Sequence, residues 1–482
     1  MSQNKMGQQT LRSDSVGTGG NWILFVADVA PSASVALTLG LLVATAGLSS
    51  PLVIITVGVA MFLVATGFSH LNQWRPATGA PFLWIMDAVS PAIGLIMGLV
   101  MIIANLFSNI ASITLAGTYL LSIVAPNHTF PWWIVWLISA ALMSILATVA
   151  IVGLRLSVRM QLSLILFEFT TVLTFATLAI IHELTSHQAG VTGPSLTAFS
   201  VAGSPAGVHG LLLAVVPTAL LFAGWEAPFS LGEESKARHV SPGVAARIGV
   251  VFVTVLFVVL ILSFQGVAPQ HDIIAHGSDV LTFAGSAIVG TGWGRILSVA
   301  VLVSILGAVQ VLLIVGSRLV VAAARVSLLP GRLGAISAKF RTPQVAIVTL
   351  AIIPLLVLIP YLVNTTASTR VSEIVSVGGL LFLLVYFAVA ATSTWFGAKI
   401  RGQAIRPEGT RSPRYRFSAL LASILGGLFM IAAFFYALST QAVFVKVSLV
   451  VVIAVCVIGG LIAHIGRQRS TRTKVDRGTG VH

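Results

Sequence analysis

Three carboxylates stand inside long apolar stretches of this chain: Asp28, Glu168 and Glu226. An acid at membrane depth is costly to keep, so each is a functional candidate that could bind a proton, hold a cation or meet a substrate amine. Asp87 lies at the entrance of a fourth stretch. Two apolar runs are also interrupted. Ala30-Pro31-Ser32-Ala33-Ser34 contains a proline that lacks a donor and disfavours helix at Ala30. Phe222-Ala223-Gly224-Trp225-Glu226 contains a glycine with wide backbone freedom, followed by Pro228. Unwound backbone in a bilayer is tolerated only where it is buried or lines a cavity, so Pro31 and Gly224 mark either a ligand site or two kinks between packed helices.

The elements that must position these residues are membrane helices. The chain has 482 residues, of which 57% are hydrophobic and 8% charged; an ordinary soluble domain carries roughly 25% charged residues. Apolar spans are read near 22–47, 51–69, 84–121, 131–154, 160–182 and 209–231, then 244–266, 291–324, 344–363, 371–395, 415–437 and 443–466. These give about twelve crossings of roughly 20 residues each. The runs are unbroken, whereas a barrel strand would alternate over about ten residues. The polar residues 1–20 and 467–482 read as disordered tails, with no cleavable signal before the first span.

Lys and Arg crowd alternate loops, which places both termini in the cytoplasm and leaves Arg295, Arg370 and Lys446 for the opposite face. This topology also accounts for the net charge of +14. The basic residues are scattered over short loops with no stacking aromatics among them, so no nucleic-acid partner is expected. The single Cys456 excludes an intrachain disulfide. The loops at 183–208 and 267–290 hold no paired catalytic acids, metal cluster or phosphate-cradling glycines, which argues against an enzyme and implies no cofactor. Six histidines on or near the outward side, His128, His182, His187, His209, His271 and His276, show no ligand spacing within one helix. The two breaks fall in spans one and six, each opening a five-helix half, as expected for inverted repeats with a substrate site between them.

The stretch FAGWEAPFSLGEESKARHVSP, from Phe222 to Pro242, resembles the sixth helix and following loop of the amino acid-polyamine-organocation permeases. Ser317-Arg318, Ala324-Arg325 through Leu329-Pro330, and Arg341-Thr342-Pro343 are similar to a second motif of that family. Weaker similarity covers Leu71-Asn72 to Gly79 and Ser157 to Gln161. Departures are Ser32-Ala33-Ser34 in place of G-S-G, and Val326-Ser327 in place of D-G. The resemblance implies an all-α, leucine-transporter-type fold with a 5+5 inverted repeat and two additional C-terminal helices. Its divisions would be a tail at 1–20, repeats at 21–182 and 209–395 separated by an extracellular loop at 183–208, a cytoplasmic loop with two helices at 396–466, and a tail at 467–482.

It also implies a multi-pass plasma-membrane permease that moves an amino acid or amine, with a proton or a sodium ion as partner. A zwitterion's carboxylate would sit on free amides of Ser32, Ala33 and Ser34, at a helix start. Its ammonium would meet the carbonyls of Leu221, Phe222 and Ala223, at a helix end. The alternative for Ser32 and Ser34 is hydroxyls bonded back to their own helix. Trp225 and Phe222 either close over the ligand or pack. Glu226 holds the acidic position of the motif, as proton site or as a tie for unwound amides. Glu168 aligns with a family lysine that replaces a sodium ion; here it would draw a proton or a sodium ion, with Ser304 as a neighbouring oxygen ligand, or else pair with an Arg or Ser. Asp28 either meets a substrate amine or forms a salt bridge. Glu233, Glu234, Lys236 and Arg238 form either an inner gate or a wet loop. Proton-linked uptake, sodium symport, exchange and a non-transporting sensor all fit these residues, the first of them best.

Overall fold

The computed structural model describes residues 11, 14–125, 128, 130–186, 188, 190–364, 367–400 and 413–478. Lys5, Arg12, Arg401, Arg406 and Arg411, and the expected disorder of 1–10 and 479–482, lie outside them.

Among the described residues the structure is helical, with isolated β-bridges and no extended sheet. The first apolar run forms α1 (Thr18–Val29) and α2 (Pro31–Ala46), followed by α3 (Ser50–Trp74). Next come α4 (Ala80–Ala88), α5 (Pro91–Val124), α6 (Trp132–Val152), α7 (Leu154–Thr185) and α8 (Gly207–Leu221). The second half continues through α9 (Ser241–Phe264), α10 (Gln270–Ala275), α11 (Val280–Val289), α12 (Thr291–Arg325), α13 (Gln344–Asn364) and α14 (Ala367–Ile400). Helices α15 (Pro413–Thr440) and α16 (Val443–Gly478) complete the described chain.

Several boundaries differ from the apolar-run reading. The run at 84–121 is two helices, because Pro91 can begin a helix but cannot continue one; Ser90 is extended. The 209–231 run is α-helical only to Leu221, beyond which the chain makes turns and short 3₁₀ segments at Ala227–Ser230 and Gly232–Glu234. The 267–290 loop folds into α10 and α11. The tail expected from 467 continues α16 to Gly478. The N-terminal tail is ordered from Asp14: Val16 is buried and bridges in parallel to Ser235.

Among the described residues, nine stretches are long and apolar enough to cross a membrane, the first running from Thr18 to Trp74 through both α1–α2 and α3. Three shorter apolar helices, Gly207–Leu221, Val280–Val289 and Gln344–Ile359, accompany them. Burial separates centre from periphery. The apolar window of α12 is 83% buried and that of α16 only 22%. Helix α12 is thus the central column, packed on α1, α2, α5 and α7, while α16 leans mainly on α5. The exposed apolar side chains of α16, such as Val450, Ile458 and Ile462, suit lipid contact rather than water.

Candidate functional site

The break in the first run follows from Pro31. Ala30 adopts a left-handed conformation (φ 47°), which is strained for a residue with a β-carbon, and Pro31 begins α2 at a position where its missing N–H costs nothing. A helix start exposes amide donors. Here they are occupied. The Ser32 amide donates to Glu168 Oε1 at 2.8 Å, and the Ala33 amide to Ser304 Oγ at 3.4 Å. The Ser304 hydroxyl donates to the same Glu168 oxygen at 2.7 Å. The Ser34 amide donates to the Ala30 carbonyl, and its hydroxyl to the Val29 carbonyl at 2.7 Å. The amides expected to be free for a substrate carboxylate are therefore bonded within the protein. The physical reason is that a helix start favours an anion, and α7 supplies one. Of the alternatives for Ser34, the structure shows the hydroxyl bonded back to its own chain.

The second break centres on Gly224, whose φ of 99° favours glycine. A β-carbon there would lie 2.8–2.9 Å from the backbone and carboxyl carbons of Asp28, so the glycine also lets α1 approach. The end of α8 tightens: Phe222 and Ala223 amides donate to Ala219 and Leu220 carbonyls. Glu226 accepts a hydrogen bond from the Tyr386 hydroxyl of α14 at 2.7 Å. Each broken run thus has one buried acid beside it, Glu168 bonded to the Ser32 amide at the first and Glu226 bonded to the Tyr386 hydroxyl at the second.

Asp28 projects toward this junction within Coulombic reach of Glu226, with no Lys, Arg or His at ion-pair distance among the described residues. The expected alternative of a salt bridge for Asp28 is not realised there. Asp28 and Ala223 are partly exposed, whereas Leu221, Phe222, Gly224 and Trp225 are buried. A narrow apolar crevice between α8 and α14, lined by Val216, Leu220, Ala223, Gly379, Leu383 and Tyr386 among others, ends at the junction.

Phe222 and Trp225 point into different packing environments. Phe222 meets Phe257 of α9 edge-on at 5.5 Å, whereas Trp225 lies 4.8 Å from Phe68 and 5.3 Å from Tyr386. With Trp84 and Phe229 these rings form one aromatic cluster. Tyr386 escaped the sequence reading. Its only signal is a phenol in an otherwise apolar run, and nothing local says that it faces Glu226.

One face of the molecule is closed by the segment after the second break. Arg318 of α12 binds Glu234 through two teeth, Nε to Oε2 at 2.8 Å and Nη2 to Oε1 at 3.0 Å, with the side chains 1% and 2% exposed. Arg325 binds Glu233 at 2.8 and 3.0 Å in a more open setting. Backbone bonds join the segment to its neighbours: Val16 to Glu234, Lys236 to Val16, and Gly79 to Ser230. Lys236 and Arg238 remain exposed. Arg75 pairs with Asp87 across the α3–α4 connection on the same face.

A family model described as "Amino acid permease" matches residues 19–462. The serine/threonine exchanger SteT of Bacillus subtilis (strain 168) is 25% identical over 225 residues, covering 46% of this chain. The chain spans about half the length of that curated relative, 48%. A crystal structure of the Eremococcus coleocola manganese transporter, bound to an aromatic bis-isothiourea substituted compound, superposes with a TM-score of 0.62 at 13% identity. That match covers 97% of this chain and 100% of the other, and it shows a shared fold.

Proposed function

Because this chain belongs to the amino acid permease family, we propose that it is a secondary active transporter that moves amino acids or related amines across the cell membrane by alternating access, with uptake coupled to protons. The observation that carries this reading is the meeting of two broken membrane runs at Asp28 and Gly224, with a buried carboxylate at each break, Glu168 bonded to the Ser32 amide and Glu226 to the Tyr386 hydroxyl. In this reading residues 21–182 and 209–395 are the two repeats, both termini are cytoplasmic, and the face closed by Arg318–Glu234 is the cytoplasmic gate.

Alternating access then has a definite meaning. Opening the cytoplasmic side requires the 228–236 segment to leave α12, so the Arg318–Glu234 and Arg325–Glu233 pairs separate together. Glu226 is linked by Tyr386 to α14 and by its position to the broken run. Loading it with a proton removes the charge that holds those partners and so couples protonation to the movement of α14.

Two second readings rest on specific observations. Similarity to a serine/threonine exchanger favours obligatory exchange. The Glu168–Ser304 pair supplies oxygens of the kind a sodium ion prefers. Purified protein in liposomes separates the three: labelled amino acids and amines are offered against a pH gradient, a sodium gradient or internal counter-substrate. Accumulation driven by the pH gradient is expected. Absence of accumulation and exchange across the whole panel would sink the transport reading.

A further inference from the structure

We propose that the end of α7 carries a binding site for a hard monovalent cation, formed by the Glu183 carboxylate and the Thr192 carbonyl and lying apart from both breaks. The site stands whether or not the chain moves a substrate.

Helix α7 runs antiparallel to α12, with Ser157 beside Gln310 and Glu168 beside Ser304. Its last turn therefore lies at the face away from the Arg318–Glu234 pair. Glu183 sits in that turn and is 5% exposed, yet neither of its carboxylate oxygens has a hydrogen-bond partner among the described residues. The Gly266 amide is directed at the carboxylate but falls short of hydrogen-bond geometry. No ion pair among the described residues includes Glu183, and the flanking stretches 183–208 and 265–290 contain no Lys or Arg. His271 in the second of them is engaged with Asp272. A buried carboxylate without a partner is among the costliest groups a fold can keep, so a positive charge from outside these stretches must answer it.

The surroundings supply further oxygens. A β-carbon on Gly266 would collide with the Thr192 carbonyl oxygen and lie 2.6 Å from Glu183 Oε1, so both oxygens converge on the spot that this glycine leaves open. That is a separation one hard cation can bridge. Two helices also end here, α7 at Thr185 and α9 at Phe264, and a helix C-terminus presents unpaired carbonyls and the negative end of its dipole. Gln265, directly after α9, adds a buried side-chain oxygen without a partner to this surplus of acceptors. One carboxylate among neutral carbonyls balances a single charge, whereas tight calcium sites gather several charged ligands. Thr192 is exposed, which gives the ion and its remaining waters a way in. The Thr192 amide donates to the Gly266 carbonyl at 3.0 Å, so a cation on the Thr192 carbonyl would pin the 190–193 loop to the end of α9 from its other side.

Hydrogen exchange on the purified full-length protein reads this site locally. Sodium chloride, potassium chloride and calcium chloride are each titrated against N-methylglucamine chloride at constant ionic strength, which holds screening fixed. The amides of 190–193 and 265–267 are expected to slow saturably in sodium or potassium, by roughly ten-fold at about ten times the half-saturating concentration. Glu183→Gln keeps the shape and removes the charge, and is expected to abolish the response. Glu183→Asp keeps the charge on a shorter arm and should respond at higher concentration. The response should persist in Glu168→Gln, which separates this site from the Glu168–Ser304 pair.

No saturable response of the wild type to sodium or potassium would overturn the proposal, leaving a carboxyl neutralised by a proton only. Saturation by calcium alone, or a full response in Glu183→Gln, overturns it as well. Should Glu183→Gln not stay monodisperse, the wild type and Glu183→Asp decide. Uptake in liposomes is scored separately. Proton-driven uptake without the exchange response removes the cation site and keeps the transport reading; the exchange response without any uptake does the reverse.

Discussion

Arg318 and Glu234 form a two-toothed ion pair between side chains that lie 84 residues apart in sequence and almost wholly out of solvent. The pair ties the central helix α12 to the segment that follows the second break, the segment that moves in the proposed transport cycle. Arg318 also donates through Nη1 to Ser317 Oγ and the Ile314 carbonyl, which occupies both donors of that nitrogen.

Removing one partner of such a pair strands a buried charge, at a cost of about 3–5 kcal/mol. Arg318→Met and Glu234→Gln are each expected to lower the thermal midpoint in detergent. The double change Arg318→Met/Glu234→Met should recover much of the loss, since no charge is then left alone. A double variant as unstable as the sum of the singles would contradict this account.

Lys236 and Arg238 provide the contrast, being close in sequence but exposed and outside the ion pairs of the described residues. Lys236→Ala and Arg238→Ala are expected to change stability by less than about 0.5 kcal/mol. Melting curves recorded beside the Arg318 variants give the comparison, and a loss of equal size would show that the gate is a diffuse charge cluster.

Gly224→Ala faces two penalties. The φ of 99° is unfavourable for alanine, and the added carbon would lie under 3 Å from Asp28. Strain of this kind costs about 1–3 kcal/mol before the clash is counted. Uptake should fall at least as steeply as folded yield, because relief requires α1 to move away from the junction. Full uptake at normal expression would show that the close approach is dispensable.

If Glu226 carries the coupling proton, Glu226→Gln should flatten the pH dependence of uptake between about pH 5 and 8 while the protein stays folded. Tyr386→Phe removes the phenol that donates to this carboxylate, so the pH profile should move without being abolished. Profiles from reconstituted vesicles at fixed membrane potential make the check. Wild-type profiles in both variants would return Glu226 to the role of a tie for unwound amides.

What was legible in the sequence was whatever depends on local chemistry. Apolar runs announce membrane helices, Pro31 and Gly224 announce where two of them break, and a carboxylate in such a run is conspicuous at Asp28, Glu168 and Glu226. The α4–α5 division was written in Pro91, although the apolar run around it concealed the signal.

Facing was decided only in three dimensions. Glu168 and Ser32 are 136 positions apart, and Glu226 and Tyr386 160, so no spacing rule connects them. A helix rotated by one residue presents a face about 100° away, and packing against several neighbours at once selects the rotation. That choice turned the expected cradle for a substrate carboxylate into a site already occupied by the protein's own. The sequence thus determined which residues could do chemistry in the membrane, and tertiary packing decided which donors and acceptors remained free to do it.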